Sequence, residues 1–456
     1  MVNDGRIDPE KRGNGKIASG TGNNDKKTPG GSDVGRRRFL HVAGTGVAAT
    51  SLAGCTGGSR SNDAKTQQVQ GPIKIGVLAP EPANNPIGAS MANSAELAAN
   101  QLNENGGVLG ANVEIVVKDT KEDPATGQRK YQELTVGEQV DLTTGVFTSE
   151  VLMNLMSSIA QQRTLHMSTG AATPEASQRV AEDYDRFKYY FRTGPVNSTF
   201  LGQNMVDFAE ANFESMGWNS VAILAEDFKW TEPISEALDG SLSDVGIDVP
   251  VNERYASGTE NFSPIYDEVA SAGVDAAYVV MAHTGTAAVV QWAKQQRPFG
   301  FGGIHVPMQL PSYYESVNGA SRYAVTQNSA TPTSEITEKT VPYANAYREA
   351  NGKFPVYTGY ITFDAVKQYA EAVRQAGSKD AEEVIPVLED MSYTGTTTGA
   401  LEYYGRDEQF PHDVKYGQNH AWPVWLQWKE TDGTGSQEVI WPDDLATTEY
   451  ESPPWV

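Results

Sequence analysis

The chain predicts an α/β protein of two lobes, each a mainly parallel sheet with helices on both faces. Three features point there. Short apolar strands alternate with helical patterns from Ile73 to Val306, as parallel strands joined by crossover helices require. That alternation falls into two blocks of similar size, divided at Phe191-Arg192-Thr193-Gly194-Pro195. Three helical patterns and then a glycine-rich, aromatic, alternating stretch follow the second block.

Met1 to Val34 is rich in Gly, Asn, Asp and Lys, with almost no apolar residues, a composition expected to stay disordered. Gly35-Arg36-Arg37-Arg38-Phe39-Leu40-His41 then leads into a run of small apolar residues, Val42 to Ala53. An arginine pair, one residue and Phe-Leu match a twin-arginine export signal, and the run is too short to span a bilayer. Leu52-Ala53-Gly54-Cys55 reads as a lipobox. Cys55 is then a lipidation site, anchoring the protein at the cell surface on the outer face of the cytoplasmic membrane. The plainer alternative is a basic patch before a short core helix with a chance cysteine. Cys55 is the single cysteine, so no intrachain disulfide can form. Residues 1–54 are read as disordered N-terminus and signal, and 55–72 as a flexible polar tether.

Ile73 to Leu78 is an apolar strand. Met91, Ala95, Ala98 and Leu102, spaced four, three and four apart, share one face of the helix that follows. Asn105-Gly106-Gly107 stops that helix, and Val113 to Val117 is the second strand of a β-α-β unit. Helix Pro124 to Val136, strand Leu142 to Phe147, helix Val151 to Gln162 and strand Leu165 to Ser168 complete lobe 1, residues 73–194. Lobe 2, residues 195–328, repeats the cycle. Its helices are Thr199–Ser215, Glu232–Ser243, Ser263–Ser271 and Thr286–Gln296; its strands are Val221–Leu224, Ile247–Tyr255, Ala276–Met281 and Gly303–Val306. Residues 329–392, helical, return to lobe 1. Thr394 to Trp441 reads as antiparallel strands added to lobe 2, within a segment 393–456 that ends in a frayed tail from Thr448.

The formal net charge is −23, although Met1 to Gly54 holds nine Lys and Arg against five Asp and Glu. Nucleic acid is excluded as a partner, because its phosphates would be repelled. The balance suits a protein working in molar salt, where a short Debye length screens self-repulsion; an ordinary acidic protein or a basic partner are the alternatives. The six histidines form no His-Glu-x-x-His array, and there is neither a Gly-x-Ser-x-Gly elbow nor a phosphate loop. No enzyme, metal or cofactor is therefore expected, though dispersed carboxylates could still serve a catalyst.

Several stretches resemble the solute-binding proteins of branched-chain amino-acid ABC importers. They are the opening β-α-β unit, Gly170-Ala171-Ala172-Thr173-Pro174-Glu175, Val274-Asp275-Ala276-Ala277 and Phe363-Asp364-Ala365-Val366, in order from Ile73 to about Leu445. The resemblance implies the periplasmic-binding-protein type I fold, its two lobes joined by a hinge and closing on a small ligand. It also implies an ABC permease as membrane partner and a monomer. The favoured ligand is a hydrophobic or branched-chain amino acid; amides, urea, organic acids or a sensing receptor of the same fold are alternatives.

Ligands of open parallel sheets lie beyond the carboxyl ends of strands. Thr148 and Ser149 follow one such strand just where a helix begins, suited to a carboxylate, although a Ser there often only caps the helix. By the resemblance, Ser149, Ala171, Ala172 and Thr173 grip the ligand's carboxylate and ammonium. Ala172 stands at the family's Thr position, so Thr173 becomes the alternative hydroxyl. From the facing lobe, Ala225-Glu226-Asp227-Phe228-Lys229-Trp230 supplies Asp227 and Trp230, with Trp230 in place of a pocket tyrosine. His283 aligns with another pocket aromatic, and Gln309 or Glu315 with an acidic partner for the ammonium. Asn197-Ser198-Thr199 and Asn261-Phe262-Ser263 are glycosylation sequons.

Overall fold

The computed structural model describes residues 69–456; the expected export signal, Cys55 with its expected lipidation, the N-terminal segment and most of the expected tether lie outside the described residues. In chain order, the first lobe contains β1 (Ile73–Ala79), α1 (Pro86–Glu104), β2 (Val113–Asp119), α2 (Pro124–Gln132), β3 (Leu142–Gly145) and α3 (Ser149–Gln162). It continues through β4 (Leu165–Ser168), α4 (Glu175–Glu182), α5 (Tyr184–Phe187) and β5 (Tyr190–Arg192). These strands form a five-stranded parallel sheet in the order β2-β1-β3-β4-β5. The four helix positions expected to share a face, Met91, Ala95, Ala98 and Leu102, are all buried in the core. Asn85 caps α1 by accepting from the Ile87 N–H at 2.9 Å. Gly106 and Gly107, at φ +88° and +75°, turn the chain after it.

The second lobe opens with α6 (Ser198–Met216), β6 (Ser220–Glu226), α7 (Glu232–Ser241), β7 (Asp248–Tyr255), α8 (Ser263–Ala272), β8 (Ala276–Met281) and α9 (Gly285–Lys294). Next come β9 (Gly300–His305), α10 (Tyr313–Ser316) and β10 (Val325–Asn328). Three helices, α11 (Thr340–Asn351), α12 (Tyr357–Ala376) and α13 (Ala381–Asp390), then pack into the core of the first sheet through Tyr343, Tyr360, Val366 and Leu388. The chain ends in the antiparallel hairpin β11 (Val424–Thr431) and β12 (Thr434–Trp441). The second sheet runs β12-β11-β10-β9-β8-β6-β7, parallel except where the hairpin joins β10. Separate apolar clusters line its two faces, one with α6 and α7, the other with α8 and α9.

Two expectations need correction. Strands do not begin at Thr394: residues 394–423 run irregularly, touching neighbours through isolated bridges such as Tyr393–Leu401 and Tyr403–Val414. There the backbone crosses between lobes, and side-chain bonds hold it. The buried Asp364 carboxylate accepts from the Thr397 N–H at 2.9 Å, the Thr397 hydroxyl at 2.9 Å and the Thr398 hydroxyl at 3.2 Å. Nor is the C-terminus frayed. Glu451 exchanges two hydrogen bonds with the Gln427 side chain, at 2.8 and 2.9 Å, and Trp455 packs on Trp292 at 5.5 Å. Apolar contact outweighs the acidity of the tail.

Between the lobes sits a dry polar hub. Asp413 accepts from Arg192 Nε at 2.7 Å, Ser177 Oγ at 2.6 Å and Asn197 Nδ2 at 2.6 Å, with Arg192 and Asp413 fully buried. Arg192 also donates to the carbonyls of Ala171 and Thr173.

Candidate ligand-binding site

The carboxyl ends of strands from both sheets border a cleft whose empty space, open solvent at its mouth included, is about 620 Å³. One wall begins at the end of β3. Gly145, at φ +103°, brings the chain so close to β1 that a Cβ there would lie 2.4 Å from the Leu78 carbonyl oxygen. The next residues, Phe147, Thr148 and Ser149, line the cavity as α3 begins. No side chain caps α3. The Ser149 hydroxyl instead accepts from the Thr173 N–H at 3.2 Å, and the buried Thr148 hydroxyl has no protein partner. Capping is thus not what this serine does, and the start of α3 keeps donors suited to an anion. After β4, Gly170 and Ala172 continue the wall. A Cβ at Gly170 would fall 2.7 Å from Met91 Cε and 2.8 Å from the Val146 carbonyl oxygen, so only glycine fits without displacement.

The opposite wall is made of side chains. Trp230, from a turn after β6, and His283, after β8, face the cavity with Ile304, Val306, Gln309 and Gln327. Beneath them lies Glu226, the last residue of β6 and fully buried. Its carboxylate accepts from the His283 N–H and from His283 Nδ1, both at 2.9 Å, and from Trp230 Nε1 and Thr284 Oγ1, both at 3.3 Å. Burial pushes this carboxyl up, but the hydrogen bonds and charge of His283 outweigh it and hold it below the usual range. Burial correspondingly pushes the His283 imidazole down, while Glu226, with Glu122 and Glu150 beyond it, brings it above its ordinary value. The ring stacks on Phe228 at 4.1 Å and lies 6.3 Å from the Phe147 ring of the other lobe.

Of the expected site residues, Thr148, Ser149, Ala172, Trp230, His283 and Gln309 line the cavity. Three do not. Asp227 points to solvent, where it accepts from Arg254 at 3.0 Å. Ala171 and Thr173 sit one layer back, their carbonyls taken by Arg192 and the Thr173 N–H by Ser149. Between the alternatives Gln309 and Glu315, the cavity receives Gln309; Glu315 lines a separate groove with Pro311 and Lys353. Gln309 Nε2 donates to the Gln327 carbonyl at 2.8 Å, and its buried Oε1 has no protein partner. Glu226 was not expected, although an acid closing an apolar strand was a visible signal. At the mouth, Lys229 of the second lobe meets Glu175 of the first at 2.6 Å.

The profile of the periplasmic binding protein family matches residues 72–419. A Leu/Ile/Val-binding protein homolog of Brucella suis is 23% identical over 351 residues, which is 75% of this chain and 90% of that protein. The branched-chain amino-acid transporter substrate-binding protein of Streptococcus pneumoniae, solved with isoleucine, superposes with a TM-score of 0.67 at 17% identity, covering 81% of this chain and all of that one. A leucine-binding protein of Thermotoga maritima gives a TM-score of 0.65 at 18% identity, covering 82% of this chain and all of that one.

Proposed function

The chain belongs to the periplasmic binding protein family, and on that premise we propose that it is the extracytoplasmic solute-binding component of an ABC importer. It encloses a small ligand between two closing lobes and delivers it to a membrane permease without breaking a bond. The observation that carries this reading is the cavity between the lobes, apolar along Phe147, Leu201, Trp230 and Ile304, with polar groups at the start of α3. An apolar chamber with a few placed polar groups is what a small hydrophobic ligand needs. A hydrophobic or branched-chain amino acid fits it, and the relatives named for leucine, isoleucine and valine support that class. Among the described residues no helix is long and apolar enough to cross a membrane. Attachment is assigned to Cys55 on the sequence of the twin-arginine motif and the lipobox, with the protein acting as a monomer on the cell surface. The acidic composition favours molar salt as its medium.

A thermal-shift panel of amino acids, their amides, urea and short organic acids, run in molar salt on the full chain, tests this. A ligand at about a thousand times its dissociation constant stabilises the fold by roughly 4 kcal/mol. Leucine, isoleucine or valine should raise the melting temperature of the wild type and fail to do so with Ser149→Ala. A shift only from compounds lacking an amine would keep the binding role and replace the ligand class; silence from folded protein would remove the binding role.

A further inference from the structure

Among the side chains lining the cavity, His283 is the one base and Glu150 the one acid. The ring of His283 is fixed on three sides. Nδ1 is held by Glu226 at 2.9 Å, the residue's own N–H is held by the same carboxylate at 2.9 Å, and Phe228 stacks on the face at 4.1 Å. Among the described residues no hydrogen-bond partner meets Nε2, and the side chain lines the cavity. A carboxylate as buried as Glu226 needs a countercharge. No Lys or Arg pairs with it among the described residues, and the imidazolium of His283 does. Across the cavity stand the unpartnered Thr148 hydroxyl, the Ser149 hydroxyl and the uncapped start of α3.

We propose that Glu226 and His283 form the far half of a carboxylate site. The Nε2–H of the charged ring meets the same ligand carboxylate that Ser149, Thr148 and the start of α3 hold from the first lobe. Each lobe alone then supplies only half of the site, and the carboxylate itself links them on closure. Glu226 is a positioning residue: it keeps the ring charged and aimed without touching the ligand. This deepens the solute-binding reading and rests on it. Other charged groups around the ring are accounted for. Glu122 and Glu150 face it from the first lobe, and Glu122 is itself tied to Asn85 at 3.1 Å. Tyr255 and His305 lie behind Glu226, and burial keeps both neutral near pH 7 by raising Tyr255 and lowering His305 to about 4.

The test is calorimetric titration of the full chain with L-leucine and with L-leucinol, which lacks the carboxylate, from about pH 5.5 to about pH 8.5. Wild-type affinity for leucine should fall roughly ten- to hundred-fold as the pH rises through the His283 ionisation, the range of one charged hydrogen bond. Glu226→Gln should move that fall to lower pH, and His283→Gln should flatten it at the weak limit. Leucinol should show no such fall with any of the three proteins. Histidine-selective NMR of the unliganded protein adds a readout independent of binding, in which His283 titrates at lower pH in Glu226→Gln. Leucine binding that keeps its strength and pH profile in His283→Gln overturns the inference while leaving the solute-binding reading intact, as does an unchanged His283 titration in Glu226→Gln. Wild-type protein that binds leucine at no pH overturns the inference together with the branched-chain ligand class, and the binding role itself falls only if the whole ligand panel is silent.

Discussion

The two walls of the cavity are built on different principles. The first-lobe wall is built around backbone, at Gly170, Ala172 and the opening turn of α3, with two hydroxyls and the Phe147, Glu150 and Tyr357 side chains beside it. The second-lobe wall is side chain over a buried charge: Trp230, His283 and Gln309, with Glu226 beneath. A backbone wall is rigid and admits no added atoms; a side-chain wall can be trimmed or retuned while the strands behind it stay put. On the proposed reading, the first wall and His283 meet the groups that every ligand of the class shares, and Trp230 and Gln309 are placed to separate its members.

The contrast breaks most sharply at Gly170. Gly170→Val should abolish ligand binding and cost about 1–3 kcal/mol of stability, since the new atoms meet Met91 and the Val146 carbonyl; denaturant melts and titration read both. On the other wall Trp230→Ala should weaken binding roughly ten- to hundred-fold, the worth of one large apolar contact. Its melting temperature should stay close to wild type, because Trp230 is only half-buried. An intact affinity in Trp230→Ala would erase the distinction.

Glu226→Gln sharpens it through stability against pH. The Glu226 carboxyl lies below its ordinary value, so its contribution is present above the unfolded value of about 4.5 and is lost as acid takes it through the lowered one. His283 lies above its ordinary 6.5, so its contribution is complete below that value and is lost as the pH rises through the raised one. The stability gap between wild type and Glu226→Gln should therefore be widest between those limits and narrow on both sides, as melts across pH will show. The smallest effect belongs to the mouth. Lys229→Ala removes a half-exposed ion pair with Glu175, worth about 0–1 kcal/mol in dilute buffer and less in molar salt.

The same division governs what the sequence discloses. The first-lobe wall is legible because strand, loop and helix start are consecutive: Thr148 and Ser149 were placed by the run from Leu142 onward. Helix spacing located the buried face of α1, and alternation located the hairpin. Asp227 is expected from the family-like run Ala225 to Trp230; adjacent strand residues face opposite sides, and composition does not say which of two neighbouring acids turns inward. Burial decides it: Glu226 ends β6 fully buried, whereas Asp227, its N–H donating to the Tyr255 carbonyl at 2.9 Å, turns its carboxylate out to Arg254. Thr173 meets Ser149 through its N–H, while its hydroxyl accepts from the Glu175 N–H at 3.4 Å, contacts that no spacing announces. Strands β5 and β10 escaped notice because three or four residues carry no measurable period, and β10 ends in Thr-Gln-Asn.

The Asp413 hub has a mechanical consequence. Separating Arg192 from Asp413 would strand a charge in a dry interior, at about 3–5 kcal/mol, a large share of the stability of an ordinary domain. Asn197 and Ser177 are riveted to the same carboxylate. If the jaws part as the proposed function requires, this point should stay fixed, giving the swing an axle set by chemistry rather than by slack in the connecting chain. Lengthening a nearby surface loop would leave the arc of motion unchanged, whereas a single atom altered at the axle would let the jaws wobble.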